Sequence, residues 1–237
     1  MVLDIKTRIN NLDWESIQNE LDDKGFAKLP QILTKQECEL FMSLYLDEKS
    51  YRTTINMKRY RFGSGEYKYL SYPLPKIIQD LRESIYQELA KTANRWLGYM
   101  KKPKEYPDNL HDFLNICASY EQTRPTPLIL KYEEGGFNCL HQDLYGDVYF
   151  PFQVVFVLNQ RDIDYTGGES LLVEQIPRAQ SRGHVVTLDQ GCALIFPTNN
   201  RPTQGKKGYY KNTIRHGVST VTSGSRFGLG IIFHDSK

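Results

Sequence analysis

The stretch HQDLYGDVYFPFQVVFVLN, residues 141–159, determines how the rest of the chain is interpreted. It joins a short polar motif, His141-Gln142-Asp143, to a run of β-branched and aromatic residues that is typical of a buried β-strand. In an extended chain the side chains of residues i and i+2 point to the same side. His141 and Asp143 can therefore both face the interior of a β-barrel while Gln142 faces away, which places an imidazole and a carboxylate on one face.

Similar apolar runs continue through the second half of the chain, from about residue 125. Turn signals such as Glu-Gly-Gly at 134–136 and Thr-Gly-Gly at 166–168 separate them. The runs are PLILKY (127–132), YFPFQVVFVLN (149–159), ESLLVEQ (169–175), HVVTLD (184–189), CALIFPT (192–198), VSTVTS (218–223) and FGLGIIF (227–233). Short strands in this number, without a helical pattern between them, predict an antiparallel sandwich or barrel.

The first 125 residues show helical patterns instead. Apolar residues recur on one helical face from Trp14 to Leu21, and Thr34-Lys-Gln-Glu37 is a capping box that predicts the start of another helix. GFAKLP at 25–30 predicts a short strand between them. A long helix is expected to begin with Pro75 as its first residue, because apolar residues follow it at intervals of three, four or seven.

The chain has no linker rich in Pro, Ser or Gly between its two halves. We therefore predict an α+β fold in a single domain, 1–237, in which a mainly helical part, 1–125, supports a β-structured core, 126–237. The 237 residues suffice for a sizeable core, and 40% hydrophobic with 24% charged residues excludes a disordered chain.

Composition also bears on location. No apolar run approaches the roughly 18 residues of a membrane span, and the polar N-terminal residues 1–18 do not resemble a secretory signal. The cysteines, Cys38, Cys117, Cys139 and Cys192, are far apart and include no CxxC pair. We expect reduced thiols and a cytoplasmic protein without membrane association.

A facial metal site needs a second histidine, and the spacing favours His216. His111 lies in the helical half, and His184 and His234 lie at strand edges, whereas His216 directly precedes a strand. Two imidazoles and one carboxylate on one octahedral face form the triad of a non-haem Fe(II) oxygenase, with positions left for a bidentate cosubstrate and O2. Arg226, ten residues later, would bind the far carboxylate of an iron-bound 2-oxoglutarate.

Arg226 shares a face with His216 if the two lie in one hairpin. We expect an odd loop centred on Ser223-Gly224-Ser225, so that Thr222 opposes Arg226. A two-residue loop would instead place Arg226 on the outer face.

The C-terminal half resembles the Fe(II)- and 2-oxoglutarate-dependent dioxygenases, whose core is a double-stranded β-helix, the jelly-roll or cupin-like fold. HQDLYGDVYFPFQVV, TGGESLLVEQIPRAQSR and RHGVSTVTSGSRFGLGIIFHD resemble a bacterial family of these enzymes that is described as acting on damaged DNA. The likeness is dense over residues 127–237 and looser before them, mainly through GFAKLPQILTKQECELF.

The resemblance implies Fe(II) on His141, Asp143 and His216, and 2-oxoglutarate anchored by Arg226, with O2 as co-reactant and ascorbate as a stimulant. Tyr132, nine residues before His141, resembles a tyrosine that contacts 2-oxoglutarate in prolyl-hydroxylase-like members; the alternative is a packed strand aromatic. Gln153 resembles a residue on the strand that faces the cosubstrate. In each case the residue would line the cosubstrate pocket.

One segment departs from the alkylated-base demethylases. Those enzymes carry a second arginine in an Arg-x-Asn-x-Thr-x-Arg-like C-terminal segment, and residues 225–230, SRFGLG, lack it. The ten-residue interval between the second histidine and the arginine resembles prolyl hydroxylases instead. The resemblance therefore implies an oxygenase more directly than it implies a DNA substrate.

Charge distribution suggests a nucleic-acid partner. Residues 1–50 carry a net charge of −4 and residues 178–237 a net charge of +7. A basic loop at 201–211, RPTQGKKGYYK, and a basic-aromatic run at 58–62, KRYRF, could bind phosphates while their rings stack on bases. The alternative is that both segments are solvated loops.

Three functions remain open. The first is a dioxygenase that hydroxylates or oxidatively demethylates a substrate, with a modified nucleic-acid base as a candidate, which would have to be flipped out of a duplex. The second is a protein or peptide side-chain hydroxylase of the prolyl-hydroxylase type. The third is a non-catalytic jelly-roll binding module, against which the cosubstrate arginine argues.

Overall fold

A computed structural model describes residues 3–144 and 146–237. The helices are α1 (Ile5–Asn10), α2 (Trp14–Lys24), α3 (Lys35–Leu44), α4 (Met57–Tyr60), α5 (Lys76–Tyr99) and α6 (Leu110–Ser119). The strands are β1 (Ala27–Leu29), β2 (Tyr51–Asn56), β3 (Gly63–Ser64), β4 (Glu66–Leu70), β5 (Leu128–Tyr132), β6 (Phe137–His141), β7 (Phe152–Val157), β8 (Tyr165–Gly167), β9 (Ser170–Gln175), β10 (Arg182–Val186), β11 (Ala193–Pro197), β12 (Asn200–Gly205), β13 (Gly208–Val218), β14 (Val221–Gly224) and β15 (Arg226–Ile232).

The strands form two main antiparallel sheets. The major sheet has the order β1-β11-β7-β15-β5-β4-β2, and the minor sheet has the order β10-β9-β13-β6-β3, with β12 paired to β13. A third, two-stranded sheet joins β14 to β8. This arrangement confirms the prediction of antiparallel β-structure in the second half of the chain.

Strand β7 shows why the sheets stack as they do. Its side chains alternate between two apolar environments: Phe152, Val154 and Phe156 pack with the helices, whereas Val157 packs with the residues between the two sheets. Burial of each such side chain contributes about 1.5–3 kcal/mol. Because both faces are apolar, β7 is a central strand with helices on one side and the minor sheet on the other.

The helical part agrees with its sequence signals. The capping box of Thr34 and Glu37 opens α3, and Gly25 ends α2 with a φ of 82°, which a side chain rarely adopts. Helix α5 follows Pro75 and buries Ile78, Leu81, Ile85, Leu89 and Trp96. Among the described residues, no helix combines the length and hydropathy needed to cross a membrane.

The first 125 residues contribute more than support. Besides the predicted strand at Ala27–Leu29, strands β2 and β4 extend the major sheet and β3 extends the minor one. Residues 51–56, YRTTIN, alternate in burial only weakly, so they give little period-2 signal. The assignment of the whole chain to one domain stays a prediction.

Two local predictions were wrong. Residues 201–211 are not a loop, because β12 and β13 pair in a hairpin from Asn200↔Thr213 to Gly205↔Gly208. His216 and Arg226 are not joined by a hairpin either, because the chain leaves the minor sheet after β13 and β14 pairs with β8. There the hydroxyls of Thr222 and Ser223 lie 2.7 Å from that of Thr166. Strand β15 then enters the major sheet.

Candidate active site

Three side chains meet at one end of the minor sheet. His141 ends β6 and Asp143 follows it, while His216 on β13 is the direct cross-strand partner of His141. Oδ1 of Asp143 lies 3.6 Å from Nε2 of His141, and Oδ2 lies 3.1 Å from Nε2 of His216. The ligand atoms of all three residues lie within 4.8 Å of one another. The structure therefore brings the three predicted residues together.

Backbone contacts orient this cluster. Nδ1 of His141 lies 2.7 Å from the carbonyl of Cys139, to which it can donate, so the lone pair of Nε2 faces Asp143. The amide of Asp143 donates to the carbonyl of Thr198 at 3.1 Å. The Gln142 side chain turns the other way and donates to the carbonyl of Asn199 at 2.7 Å, as the alternation of an extended chain predicts.

The charge states suit a cation. Burial lowers the pKa of His141 below its usual value, and the neighbouring His216 lowers it further. Burial alone would raise the pKa of Asp143, but the two imidazoles and the Gln153 amide hold it well below its ordinary range. The site thus combines an ionised carboxylate with an imidazole that favours its neutral, ligating form.

Gln153 projects from β7 of the major sheet toward this cluster. Its Nε2 donates to Oδ2 of Asp143 at 2.8 Å and lies 3.3 Å from Nε2 of His216. The partner for this buried amide is therefore the carboxylate of the cluster. A contact of Gln153 with a cosubstrate stays a prediction.

Arg226 and Tyr132 lie opposite each other on β15 and β5, and both are buried. The Arg226 guanidinium is 5.8 Å from the Tyr132 ring, and within residues 3–144 and 146–237 it forms no ion pair. Nε of Arg226 and the hydroxyl of Tyr132 lack hydrogen-bond partners in the same described part of the chain. A buried cation without a counter-ion is costly, so this pair is suited to receive an anion.

A glycine makes room for the guanidinium. Gly168 has a φ of 64°, and a Cβ at this position would lie 2.8 Å from Cδ of Arg226. Burial raises the pKa of Tyr132 to about 12, so its hydroxyl keeps its proton and can donate. Tyr165 on β8 also interacts with Arg226 through its hydroxyl. It belongs to this corner although the sequence patterns did not single it out.

A cavity of about 300 Å³ between the two sheets joins these groups. It is lined by the His141, Asp143 and His216 cluster and by Arg226 and Tyr132, and also by residues of the first 125 that sequence reasoning did not place there. These residues are Arg61, Phe62, Tyr67 and Tyr69. The alternation in EYKYL, residues 66–70, was the signal that could have placed two of them on one strand face.

The turn of the basic hairpin at 201–211 lies away from this cavity. Arg201 is buried and donates to Oε1 of Glu174 at 2.8 Å, and the ring of Tyr209 stacks on Tyr99 at 4.1 Å. Eight residues of extended chain separate Gly208 at the turn from His216, which is about 26 Å. The expectation that this segment presents its arginine to a nucleic acid beside the site is therefore wrong for Arg201, and for the other residues of the segment it stays a prediction.

The donor set fits the groups that the sequence predicts. Two imidazoles and one carboxylate on one side of a cavity are the ligands of a facial Fe(II) site. The unpaired Arg226 fits the second carboxylate of 2-oxoglutarate, which needs a bidentate cation in a dry pocket. The other histidines lie elsewhere; His234, for example, is buried against the backbone of Phe150.

Known proteins share this sequence and fold. The model of a family described as oxygenases catalysing oxidative methylation of damaged DNA matches residues 65–236. An uncharacterised Mycobacterium tuberculosis protein is 46% identical over 164 residues, which is 69% of this chain and 70% of that protein.

Solved structures resemble the whole chain. A prolyl-4-hydroxylase from Pseudomonas putida matches with a TM-score of 0.55 at 14% identity, over 94% of this chain and 99% of its own. An oxidoreductase of the 2OG-Fe(II) oxygenase family from Burkholderia pseudomallei matches with a TM-score of 0.52 at 15% identity, over 95% and 91%. These likenesses confirm the predicted α+β fold with a double-stranded β-helix core.

Proposed function

The chain belongs to the oxygenase family described as acting on damaged DNA and has the fold of the 2OG-Fe(II) oxygenases, and on this premise we propose that its substrate is a modified base in nucleic acid. The reaction would be hydroxylation, or oxidative demethylation where the oxidised carbon is an N-methyl group. The family description supports the choice of substrate, and the placement of a His-Asp-His cluster and a buried unpaired arginine in one cavity is the observation that carries the oxidative reaction.

In this proposal the residues of the cluster, Gln153, Arg226 and Tyr132 have separate tasks. His141, Asp143 and His216 hold Fe(II), and Gln153 keeps one carboxylate oxygen of Asp143 in place through its hydrogen bond. Arg226 binds the far carboxylate of 2-oxoglutarate as a planar fork, and the protonated hydroxyl of Tyr132 donates to the same ligand. When bound, iron and 2-oxoglutarate together with O2 supply the oxidising power, with succinate and CO2 as co-products, and ascorbate would stimulate turnover by keeping the metal reduced.

The apolar walls contribute by excluding water. Leu130, Val155 and Leu172 line the cavity around the polar groups, so charge interactions inside it are stronger than they would be in water. The cavity volume of about 300 Å³ lies within the range of small-molecule sites in proteins. We also propose a cytoplasmic location, which the free state of all four cysteines supports.

A second candidate is a peptide side-chain hydroxylase. It is favoured by the ten-residue interval from His216 to Arg226 and by a fold shared with a protein named as a prolyl-4-hydroxylase. A non-catalytic binding module is disfavoured, because such a module does not require a buried arginine without a counter-ion.

The test combines turnover with metal binding. We expect the wild-type protein to form succinate from 2-oxoglutarate only with Fe(II), and Asp143→Ala to lose this turnover and to bind Co(II), a spectroscopic substitute for Fe(II), at least tenfold more weakly. The exposed Asp162→Ala is the matched control. Undiminished turnover by Asp143→Ala would contradict the ligand assignment.

Mass spectrometry identifies the substrate class. Methylated single-stranded oligonucleotides and proline-containing peptides are incubated with the iron-loaded protein and 2-oxoglutarate. Loss of a methyl group or gain of one oxygen on an oligonucleotide would support the proposal. A gain of one oxygen on a peptide alone would favour the second candidate.

A further inference from the structure

An exposed pair of aromatic rings lies at the mouth of the cavity. Tyr60 and Phe62 stack with ring centroids 5.5 Å apart and an interplanar angle of 20°. Their side chains are nevertheless 49% and 41% exposed, so the stack has ring surface open to solvent. We call this pair the rim platform. Both residues precede the segment 65–236 that the family model matches.

The backbone holds the rim platform rigidly. Met57 is fully buried and anchors α4, and the amide of Phe62 donates to the Met57 carbonyl at 3.0 Å. Arg61, between the two rings in sequence, has a φ of 60°, a left-handed conformation that is unfavourable for a residue with a side chain. This reversal of the chain places residues 60 and 62 on the same side, so a strained residue maintains the stack.

The rim platform is fixed to the strand that carries the metal cluster. The amide of Cys139 on β6 donates to the carbonyl of Phe62 at 2.8 Å, two residues before His141. Phe62 and Arg61 line the cavity itself, and Leu140 on β6 is 44% exposed beside it. A group bound on the rim platform would therefore be adjacent to a group inside the cavity.

Positive charge surrounds the two rings. Lys58, Arg59 and Arg61 are exposed, and none of them forms an ion pair in the described part of the chain. Other lysines of the described residues do form ion pairs, as Lys131 does with Glu133. Three free cations next to open ring faces match a polyanion that also has flat π surfaces.

We propose that the rim platform binds an unpaired base next to the base that enters the cavity, while Lys58, Arg59 and Arg61 bind the flanking phosphates, so that the protein selects single-stranded nucleic acid. This inference rests on the proposed function and adds to it the site that would read the strand. Stacking of a base on an aromatic ring needs an open face and no particular base.

Binding of a fluorescent single-stranded deoxyoligonucleotide of about a dozen nucleotides tests the rings. The variant Tyr60→Ala with Phe62→Leu keeps an apolar cavity wall but removes both ring faces. We expect it to raise Kd about tenfold or more, because the bound base loses the rings on which it stacks. Tyr120→Ala, at a residue of similar exposure, 51%, should leave Kd unchanged. A duplex of the same sequence should bind more weakly than the single strand.

The salt dependence tests the charges. Replacing Lys58, Arg59 and Arg61 by Gln should reduce the slope of log Kd against log salt by about two, because each phosphate contact on a single strand contributes about 0.7. The matched control, Lys206→Gln with Lys207→Gln at the exposed hairpin turn, should leave the slope unchanged. Equal Kd and slope for wild-type and rim variants would overturn the proposal, as would a poly-glutamate peptide that competes as well as the oligonucleotide.

Succinate formation by the wild-type protein without any oligonucleotide separates the two proposals. If succinate forms but the single strand does not bind at low salt, the rim platform proposal fails and the oxygenase stands. If the strand binds through the rim platform but no succinate forms with Fe(II), the proposed reaction fails and the binding site stands.

Discussion

At the scale of single residues, Arg226 carries the strongest chemical information. A guanidinium that is buried without a carboxylate partner destabilises the fold unless a ligand supplies the missing charge. Its hydrogen-bonding geometry suits a carboxylate in the plane of the fork. Occupation of this corner by 2-oxoglutarate would therefore both bind the cosubstrate and compensate a buried charge.

This argument predicts the effect of replacing Arg226. Arg226→Lys keeps the charge but not the fork, so the KM for 2-oxoglutarate in succinate formation should rise about tenfold, and Arg226→Gln should raise it about a hundredfold. Arg215→Lys is the matched control, because Arg215 is exposed one residue before His216. An Arg226→Gln protein with unchanged KM would show that the cosubstrate carboxylate binds elsewhere.

At the scale of elements, the strands with strong local patterns were predictable and the others were not. The continuous apolar run that forms β7 could be recognised as a strand because both of its faces are apolar. Strand β6, FNCLH, mixes polar and apolar residues, and β12 and β13 contain Pro202, Gly205 and Gly208, which are turn residues by their local preference. Their pairing depends on contacts with residues distant in sequence, which no local period reveals.

The site shows the same limit. The spacing of His141 and Asp143 follows from the period of a strand, so their common face could be predicted. The path of the chain that brings Arg226 to the cavity could not be predicted, because β14 pairs with β8 and not with β15. That choice depends on the cross-strand hydroxyl contacts of Thr166, which are a tertiary feature.

A buried ion pair holds the β12–β13 hairpin. Glu174 on β9 accepts from Arg201 and from Asn212, each at 2.8 Å, and Arg201 also donates to the carbonyl of Asp23 at the end of α2. Arg201→Met leaves the Glu174 carboxylate buried and uncompensated, so it should lower the free energy of unfolding by about 3–5 kcal/mol. Urea denaturation measures this change.

A double variant distinguishes the effect of the Arg201–Glu174 ion pair from a simple loss of packing. Glu174→Gln combined with Arg201→Met removes both charges and should be less destabilising than Arg201→Met alone. Lys206→Ala, exposed at the turn of the same hairpin, should change the stability by less than about 0.5 kcal/mol. If the double variant were as unstable as the sum of the single ones, the charges would not interact.

At the scale of the whole molecule, the C-terminal residues connect the helical part to the major sheet. Arg82 of α5 donates to Asp235 at 2.6 Å and to the carbonyl of Phe233 at 2.9 Å. The next buried group is His234, whose Nδ1 accepts from the amide of Phe150 at 3.2 Å. Since Nδ1 must be unprotonated to accept this hydrogen bond, the contact requires a neutral ring.

His234 therefore makes the stability of the fold depend on pH. Burial, and then the nearby Arg82, lower the pKa of His234 from 6.5 to about 4. In the unfolded chain this imidazole takes up a proton as the pH falls below 6.5, whereas in the folded protein it does so only near 4. Its contribution is complete above pH 6.5 and is lost as the pH falls toward 4, by about 3 kcal/mol at most.

The prediction is tested with a variant that keeps the acceptor but cannot titrate. His234→Asn can accept from the Phe150 amide through Oδ1, so between pH 6.5 and 4 its free energy of unfolding should fall less steeply than that of the wild-type protein. His111→Asn on the exposed face of α6 should follow the wild-type curve. Urea denaturation at a series of pH values gives the slopes, and equal slopes for wild-type and His234→Asn would mean that other groups cause the acid sensitivity. A smaller slope would show that protonation of His234, which lies where α5 meets the major sheet, contributes to the loss of stability in acid.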